Sequence, residues 1–197
     1  MRDSELAIFP LNTVLFPGGP LALRIFEPRY LDMVSRCLRD GTSFGVVAIE
    51  AGNETGDTTT HRVGTLVRIG DWYTERDGLL GIVVVGTRRF RIRTSRIQTD
   101  GLHVAEIDTL KHEPPHAVPE RFKYMADLMR SIIDQLGDQY ALIDRNFEDA
   151  SWLGFRLAEI LPVKVIDKQA YLESEDALGR LTSLAPVLNA LSVDEAQ

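Results

Sequence analysis

A proline-rich stretch divides the sequence into two parts with different hydrophobic periodicities. Residues 111–119 contain Pro114, Pro115 and Pro119, and proline cannot donate the backbone hydrogen bond that a strand ladder needs. Before this stretch, apolar residues follow the period of two that is typical of strands. After it, they follow the period of 3.6 that is typical of helices. We therefore predict a β-rich subdomain at residues 1–112 and a helical subdomain at residues 113–197.

The first part predicts a series of short strands. Residues 21–26 alternate, which places Leu21, Leu23 and Ile25 on one face of a strand and the residues between them on the other. Pro10 ends a short apolar run at residues 6–9, and glycines separate further β-rich runs at residues 46–49, 63–69, 79–85, 90–97 and 102–107. Strands at this spacing favour antiparallel pairing with a barrel-like or sandwich-like closure. We expect the polar stretch 53–60 to be a mobile hairpin tip.

Helical patterns complete an α+β fold. One helix is inserted among the strands, from Pro28 to Gly41, with Tyr30, Leu31, Val34, Cys37 and Leu38 on its apolar face. The second part predicts helices over residues 122–136 and about 147–161, a short helix capped by Asp167, and a final helix that Pro186 kinks or breaks.

Composition and charge narrow the expected partners. The formal net charge of -7 repels nucleic acids and anionic membranes, so neither is an expected partner. No signal peptide or membrane-spanning run can be drawn. The one cysteine, Cys37, has no partner for an intrachain disulfide, which fits a reducing compartment. We therefore predict a cytoplasmic protein.

The sequence contains no recognisable catalytic motif. A P-loop needs glycine directly before its lysine, and every lysine here follows another residue type. No serine lies in a Gly-x-Ser-x-Gly elbow. His112 and His116 are four residues apart, but Pro114 and Pro115 between them argue against the helix that would bring both imidazoles to one metal ion. We expect no cofactor, no metal and no catalytic residue.

Residues 88–96 form the densest basic stretch. On a regular strand, Arg89, Arg91 and Arg93 share one face, while Phe90 and Ile92 occupy the other. This pattern predicts a solvated face above a buried one. RNA binding by this basic patch is an alternative, although no aromatic residue is interleaved on the arginine face for base stacking.

Two segments resemble a known family. The run FPLNTVLFPG at residues 9–18, continued by LALRIFEPRY at residues 21–30, resembles the opening signature of the Lon protease N-terminal domain family. The pair VGTLVRI at residues 63–69 and GTRRFRI at residues 86–92 is similar to that family's strand motifs. Residues 157–162 and 168–173 also resemble its bacterial short forms, so the resemblance covers nearly the whole chain.

The resemblance implies a PUA-like β-rich pseudo-barrel followed by a helical subdomain, and a role in substrate capture. It places the domain beside an ATPase and a peptidase in full Lon proteases, and we expect neither in this chain. The leading hypothesis is a stand-alone, non-catalytic module that binds protein or peptide clients. The predicted contacts are Phe16, Ile25, Phe26 and Tyr30, in an apolar groove near the junction of the two parts. A small-molecule sensor and an unrecognised hydrolase remain further alternatives.

Overall fold

The computed structural model describes residues 5–53 and 58–194, with the backbone alone at residues 138, 139 and 191–194. Contacts group the chain into two units, which we call the β unit (Met1–Lys111) and the helical unit (His112–Gln197). Each unit is described by itself. That the two parts are separate folding domains, with the boundary at residue 112, stays a prediction.

The β unit combines strands with one helix, as the α+β prediction requires. In chain order its elements are β1 (Leu6–Leu11), β2 (Pro20–Ile25), α1 (Pro28–Asp40), β3 (Phe44–Gly52), β4 (Thr58–Thr60), β5 (Val63–Thr74), β6 (Leu80–Ile97) and β7 (His103–Thr109). The predicted hairpin is present as the antiparallel pair β3 and β4, and its residues 54–57 lie outside the described part.

One strand replaces two predicted ones. The runs at residues 79–85 and 90–97 belong to the single strand β6, because pairing with β5 continues through a bulge between them. Gly86 pairs with Val67 and Arg89 pairs with Thr65, so β6 has one residue more than β5 between these two pairs. An extra residue in one strand bends it and strengthens its twist without ending it.

The strands form a closed but irregular ring. Pairing runs from β1 to β7, β6, β5 and β3, and β3 returns to β1. All of these pairs are antiparallel except β1 with β3, which is parallel. The parallel pair of β1 with β3 departs from the antiparallel pairing that the strand spacing favours. Strand β2 lies outside the ring and pairs only with β6 among the described strands.

Helix α1 packs its apolar face into the core of this unit. It has Pro28 in its first turn, where the missing N–H is not needed, and it ends at Gly41 with a left-handed φ of 62°. Its buried residues are Tyr30, Met33, Val34 and Cys37. The predicted face is wrong for Leu38, which is 48% exposed, since the buried stripe runs through positions 30, 33, 34 and 37 at helical spacing.

The helical unit contains four α-helices in its described part. They are α2 (Lys123–Leu136), α3 (Ala150–Ile160), α4 (Val165–Glu173) and α5 (Ala177–Asp194). Three details correct the sequence analysis. Helix α3 begins at Ala150, after Asp149 caps it by accepting from the Ser151 N–H at 3.1 Å. Lys164 holds the N-cap position of α4, so Asp167 lies in its first turn. Helix α5 continues past Pro186 without a break, and a kink there stays a prediction.

A buried ion pair joins the start of the helical unit to its last helix. Arg180 donates to a carboxylate oxygen of Glu113 at 2.5 Å, and both side chains are almost fully buried. The Ser151 hydroxyl donates to the same oxygen at 2.6 Å. The guanidinium of Arg180 also lies 3.9 Å from the centroid of the Phe155 ring. The Glu113 side chain is therefore anchored to α5 by an ion pair and to α3 by a hydrogen bond.

Candidate functional site

A cavity of about 300 Å³ opens in the β unit between β1 and β2. Its walls are residues 9–11 of β1 and residues 22–24 of β2, and Phe26, Glu27 and Tyr30 line it beside the start of α1. The volume lies at the lower limit of the roughly 300–1,000 Å³ that is typical of ligand pockets. The cavity therefore has room for a few side chains of a partner.

The cavity exists because β2 and β7 share one edge of β6. Strand β5 runs along the opposite edge, while β2 pairs with residues 80–85 of β6 and β7 pairs with residues 90–97. Strand β7 contacts β1 only as far as Ile8. Beyond that point no strand lies between β1 and β2 in the described part of the chain, so the ring has a seam there.

Stacked aromatic rings form one wall of the cavity. The rings of Phe9 and Tyr30 are parallel within 20°, with centroids 4.0 Å apart. Phe44 packs against Phe9 at 6.2 Å, and the Arg29 guanidinium lies 4.7 Å from the centroid of the Tyr30 ring. Such contacts fix ring positions beyond what burial alone does. This wall is therefore held in place before any partner binds.

The charged groups at the rim are already paired. Arg24 forms an ion pair with Asp77 in the turn between β5 and β6. Glu27 forms an ion pair with Arg29 at 2.7 Å, and Arg29 also donates to the Gly101 carbonyl oxygen at 2.6 Å. Because these charges have intramolecular partners, the opening offers an approaching ligand mainly apolar surface.

The structure separates the four predicted groove residues. Phe26 is 57% exposed and lines the cavity, and Tyr30 lines it although only 3% of its surface is exposed. Phe16 and Ile25 are 0% and 1% exposed and do not line it. The prediction that all four line one groove is therefore wrong for Phe16 and Ile25. Contact of Phe26 and Tyr30 with a peptide stays a prediction.

Phe16 is buried because its loop folds back onto β6. Gly18 donates to the Gly86 carbonyl oxygen at 2.8 Å, and Gly86 donates to the Gly19 carbonyl oxygen at 2.9 Å. The carbonyl oxygen of Phe16 lies so close to Gly86 that a Cβ at position 86 would collide with it. Phe16 and Gly18 of the signature therefore serve the fold.

Other lining residues were not among the predicted contacts. They are the wall residues of the two strands, Phe9, Pro10, Leu11, Ala22, Leu23 and Arg24, together with Glu27. The alternation of residues 21–26 carried part of the signal, because it places Ala22, Arg24 and Phe26 together on the outer face. The sequence did not indicate which strand would lie opposite them.

The predicted arginine face is interrupted. Arg91 and Arg93 are exposed, but Arg89 is 4% exposed. The bulge in β6 shifts the alternation, and Arg89 lies opposite the fully buried Thr65, whose hydroxyl donates to the Leu15 carbonyl oxygen at 2.6 Å. The prediction of one exposed face with three arginines is wrong because it assumed a strict period of two.

The cysteine and the two histidines singled out in the sequence do not line the cavity. No group of three or more His, Cys, Asp or Glu side chains among them is arranged to hold a metal ion, and His112 and His116 are exposed. Burial raises the pKa of the Cys37 thiol. Among the helices of the part described, none is long and apolar enough to cross a membrane.

The fold and the cavity define an α+β architecture, a strand ring with a ligand-sized opening. The chain belongs to the ATP-dependent protease La (LON) substrate-binding domain family, whose model matches residues 5–190. The resemblance inferred from the sequence is thereby confirmed.

Solved structures of this family share the fold. A Lon N-terminal domain protein from Xanthomonas campestris superposes with a TM-score of 0.76 at 34% identity, covering 92% of this chain and 97% of that one. The N-terminal domain of Lon protease from the Mycobacterium avium complex gives a TM-score of 0.62 at 14% identity, over 93% and 97% of the two chains. That second similarity supports the fold alone.

Curated relatives are much longer than this chain. Lon protease from Cytophaga hutchinsonii is 26% identical over 196 residues, which cover 94% of this chain and 24% of the protease. Cereblon from Danio rerio is 29% identical over 120 residues, which cover 59% of this chain and 27% of cereblon. The chain thus spans about a quarter of the length of these two relatives.

Proposed function

We propose that this chain binds segments of other proteins in the cavity between β1 and β2, and that it acts by binding alone. The observation that carries the proposal is an apolar opening with paired rim charges and an exposed Phe26 at its edge. The family description as a substrate-binding domain supports the same function. The clients would be protein chains that expose apolar side chains. A cytoplasmic location of this chain stays a prediction.

The exposed area of Phe26 sets the expected contribution of this side chain to binding affinity. Fully burying a phenylalanine side chain contributes about 1.5–3 kcal/mol, and 57% of Phe26 is available to be covered. Covering that fraction contributes about 0.9–1.7 kcal/mol, which corresponds to about a five- to fifteenfold change in affinity. Because the side chain is already largely in solvent, Phe26→Ala should leave the fold intact.

The test measures binding of fluorescein-labelled, reduced and carboxymethylated lactalbumin, a chain that stays unfolded, by fluorescence anisotropy. We expect the wild type to bind it and Phe26→Ala to bind it about five- to fifteenfold more weakly. Trp72→Ala is the matched control, since Trp72 is 63% exposed on the same unit and does not line the cavity. Absence of binding by the wild type, or equal loss in both variants, contradicts the proposal.

A further inference from the structure

We propose that the bound segment is extended and adds a strand to the seam between β1 and β2, pairing chiefly with the outer edge of β2. This inference rests on the proposed function and specifies the ligand at that same site. The occupant would be an uncharged, apolar segment without proline at its centre. Its backbone would supply hydrogen bonds, and alternate side chains would enter the cavity.

The outer edge of β2 lacks a partner strand in the part of the chain that is described. All recorded pairs of β2, from Pro20 to Ile25, are with β6. In β1, residues 9–11 pair with β3, and pairing with β7 on the other side stops at Ile8. An open strand edge presents a row of backbone N–H and C=O groups that can pair with another chain.

The lining shows that the cavity meets strand edges rather than a sheet face. Side chains on one face of a strand come from alternate residues. Here the walls are formed by the consecutive residues 9–11 and 22–24. Consecutive residues can line one space when that space lies alongside the backbone. An occupant of the cavity therefore lies within reach of main-chain groups.

The two edges are not equal. Pro10 lies in the middle of the β1 wall and has no N–H to donate. The β2 wall, residues 22–24, contains no proline. A strand in the seam would therefore find its more complete set of backbone partners along β2, with β1 supplying side-chain contact through Phe9 and Leu11.

Charge and size select the chemistry of the occupant. Arg24 is paired with Asp77, and Glu27 is paired with Arg29, so an ionised side chain at the rim would lack a free counter-charge there. A helix is about 10–12 Å across with its side chains, which is large for a cavity of about 300 Å³. An extended apolar segment inserts one side chain at a time and suits this space better.

The test uses the full chain and fluorescein-labelled synthetic peptides, with affinity measured by anisotropy. One peptide alternates leucine and serine, and a second has the same composition with leucines at helical spacing. Two further versions of the alternating peptide carry N-methyl groups on one or the other set of alternate amides. We expect the alternating peptide to bind best, and one N-methylated version to bind about tenfold more weakly.

A bulky substitution at Ala22 tests whether the peptide binds in the seam. Ala22 is exposed and lines the cavity, so Ala22→Trp should fill the opening without disturbing the core. We expect Ala22→Trp to weaken binding of the alternating peptide at least about tenfold, from the steric block. The matched control Thr59→Trp adds the same ring at an exposed strand residue that does not line the cavity, and it should bind as the wild type does. Thermal unfolding of both variants checks that the β unit is folded.

Strand addition is overturned if both N-methylated peptides bind as tightly as their parent, or if the helically spaced peptide binds equally well. It is also overturned if the chain binds unfolded lactalbumin but not the alternating peptide. In each of these cases the wider proposal of client binding survives. Failure to bind unfolded lactalbumin instead contradicts the proposed function itself, so the two failures are distinguishable.

Discussion

Removing one partner of the buried ion pair should selectively destabilise the helical unit. Arg180 and Glu113 have side-chain exposures of 0% and 2%, so either charge left alone would be a charge without compensation in a nonpolar environment. Breaking such a pair costs about 3–5 kcal/mol. We consider two substitutions, Glu113→Gln and Arg180→Met, each of which removes one charge of the pair.

The contacts set the order of the two effects. Glu113→Gln removes the charge but keeps an oxygen that can accept from Ser151, so we expect a loss of about 3 kcal/mol. Arg180→Met also removes donation to the carbonyl oxygens of Tyr171, at 3.1 Å, and Ser174, at 3.3 Å. It also strands the Glu113 carboxylate, and we expect a loss near 5 kcal/mol.

The chain supplies a separate fluorescence reporter for each unit. Its two tryptophans are Trp72 in β5 and Trp152 in α3. In a Trp72→Phe background, urea unfolding followed by fluorescence reports the helical unit through Trp152. In a Trp152→Phe background, it reports the β unit through Trp72. We expect both substitutions to lower the free energy of unfolding that is measured in the Trp72→Phe background. The value measured in the Trp152→Phe background should change little.

The double variant decides whether the two side chains act as a pair. The double variant Glu113→Gln with Arg180→Met leaves neither charge alone. Its loss in free energy of unfolding should therefore be about 2 kcal/mol smaller than the sum of the losses in the two single variants. Strict additivity, or a loss below about 1 kcal/mol for Arg180→Met, would refute the reasoning about an uncompensated charge. Equal shifts of both tryptophan reporters would instead refute the prediction of separately folding domains.

Two further predictions concern titratable groups in the β unit. Burial, and next the positive charge of Arg29, lower the pKa of His103. Unfolded His103 therefore binds a proton more readily, and stability should fall as pH drops below about 6.5. His103→Gln should flatten this fall in urea titrations monitored by Trp72, and an unchanged slope would contradict it. Burial raises the pKa of Cys37, so its thiol should react with an aromatic disulfide reagent at least about tenfold more slowly in the native chain than in urea. Equal rates would show that the thiol is accessible.

Local patterns predicted the parts of the site that depend on neighbouring residues. The alternation of residues 21–26 predicted two faces, and the structure buries Leu23 and Ile25 on one and exposes Ala22, Arg24 and Phe26 on the other. Pro28 and Gly41 marked the ends of α1. These features follow from strand and helix geometry, which short stretches of sequence determine. The outward position of Phe26 was therefore within reach of sequence reasoning.

The remaining features depend on pairing between distant segments. Arg89 is buried because β6 carries a bulge against β5, and a bulge cannot be seen in the period of one strand. Phe16 is buried because its loop hydrogen-bonds to Gly86 of β6. The seam itself depends on where β7 stops relative to β1 and β2. Strand register is set by the whole sheet, so these outcomes lay beyond a local reading.

The two sides of the seam differ in the residues that protect an open strand edge. Proteins commonly guard open strand edges with charged side chains or proline, because an unguarded edge invites pairing with other chains. On the β1 side, Pro10 provides such protection. On the β2 side, Arg24 is the charged residue of the wall, and its guanidinium is directed to Asp77. A strand with only a structural role would gain from a free charge at this edge. Because the guanidinium of Arg24 is paired with Asp77, the strand addition that we propose along β2 would meet a paired rather than a free charge on this wall.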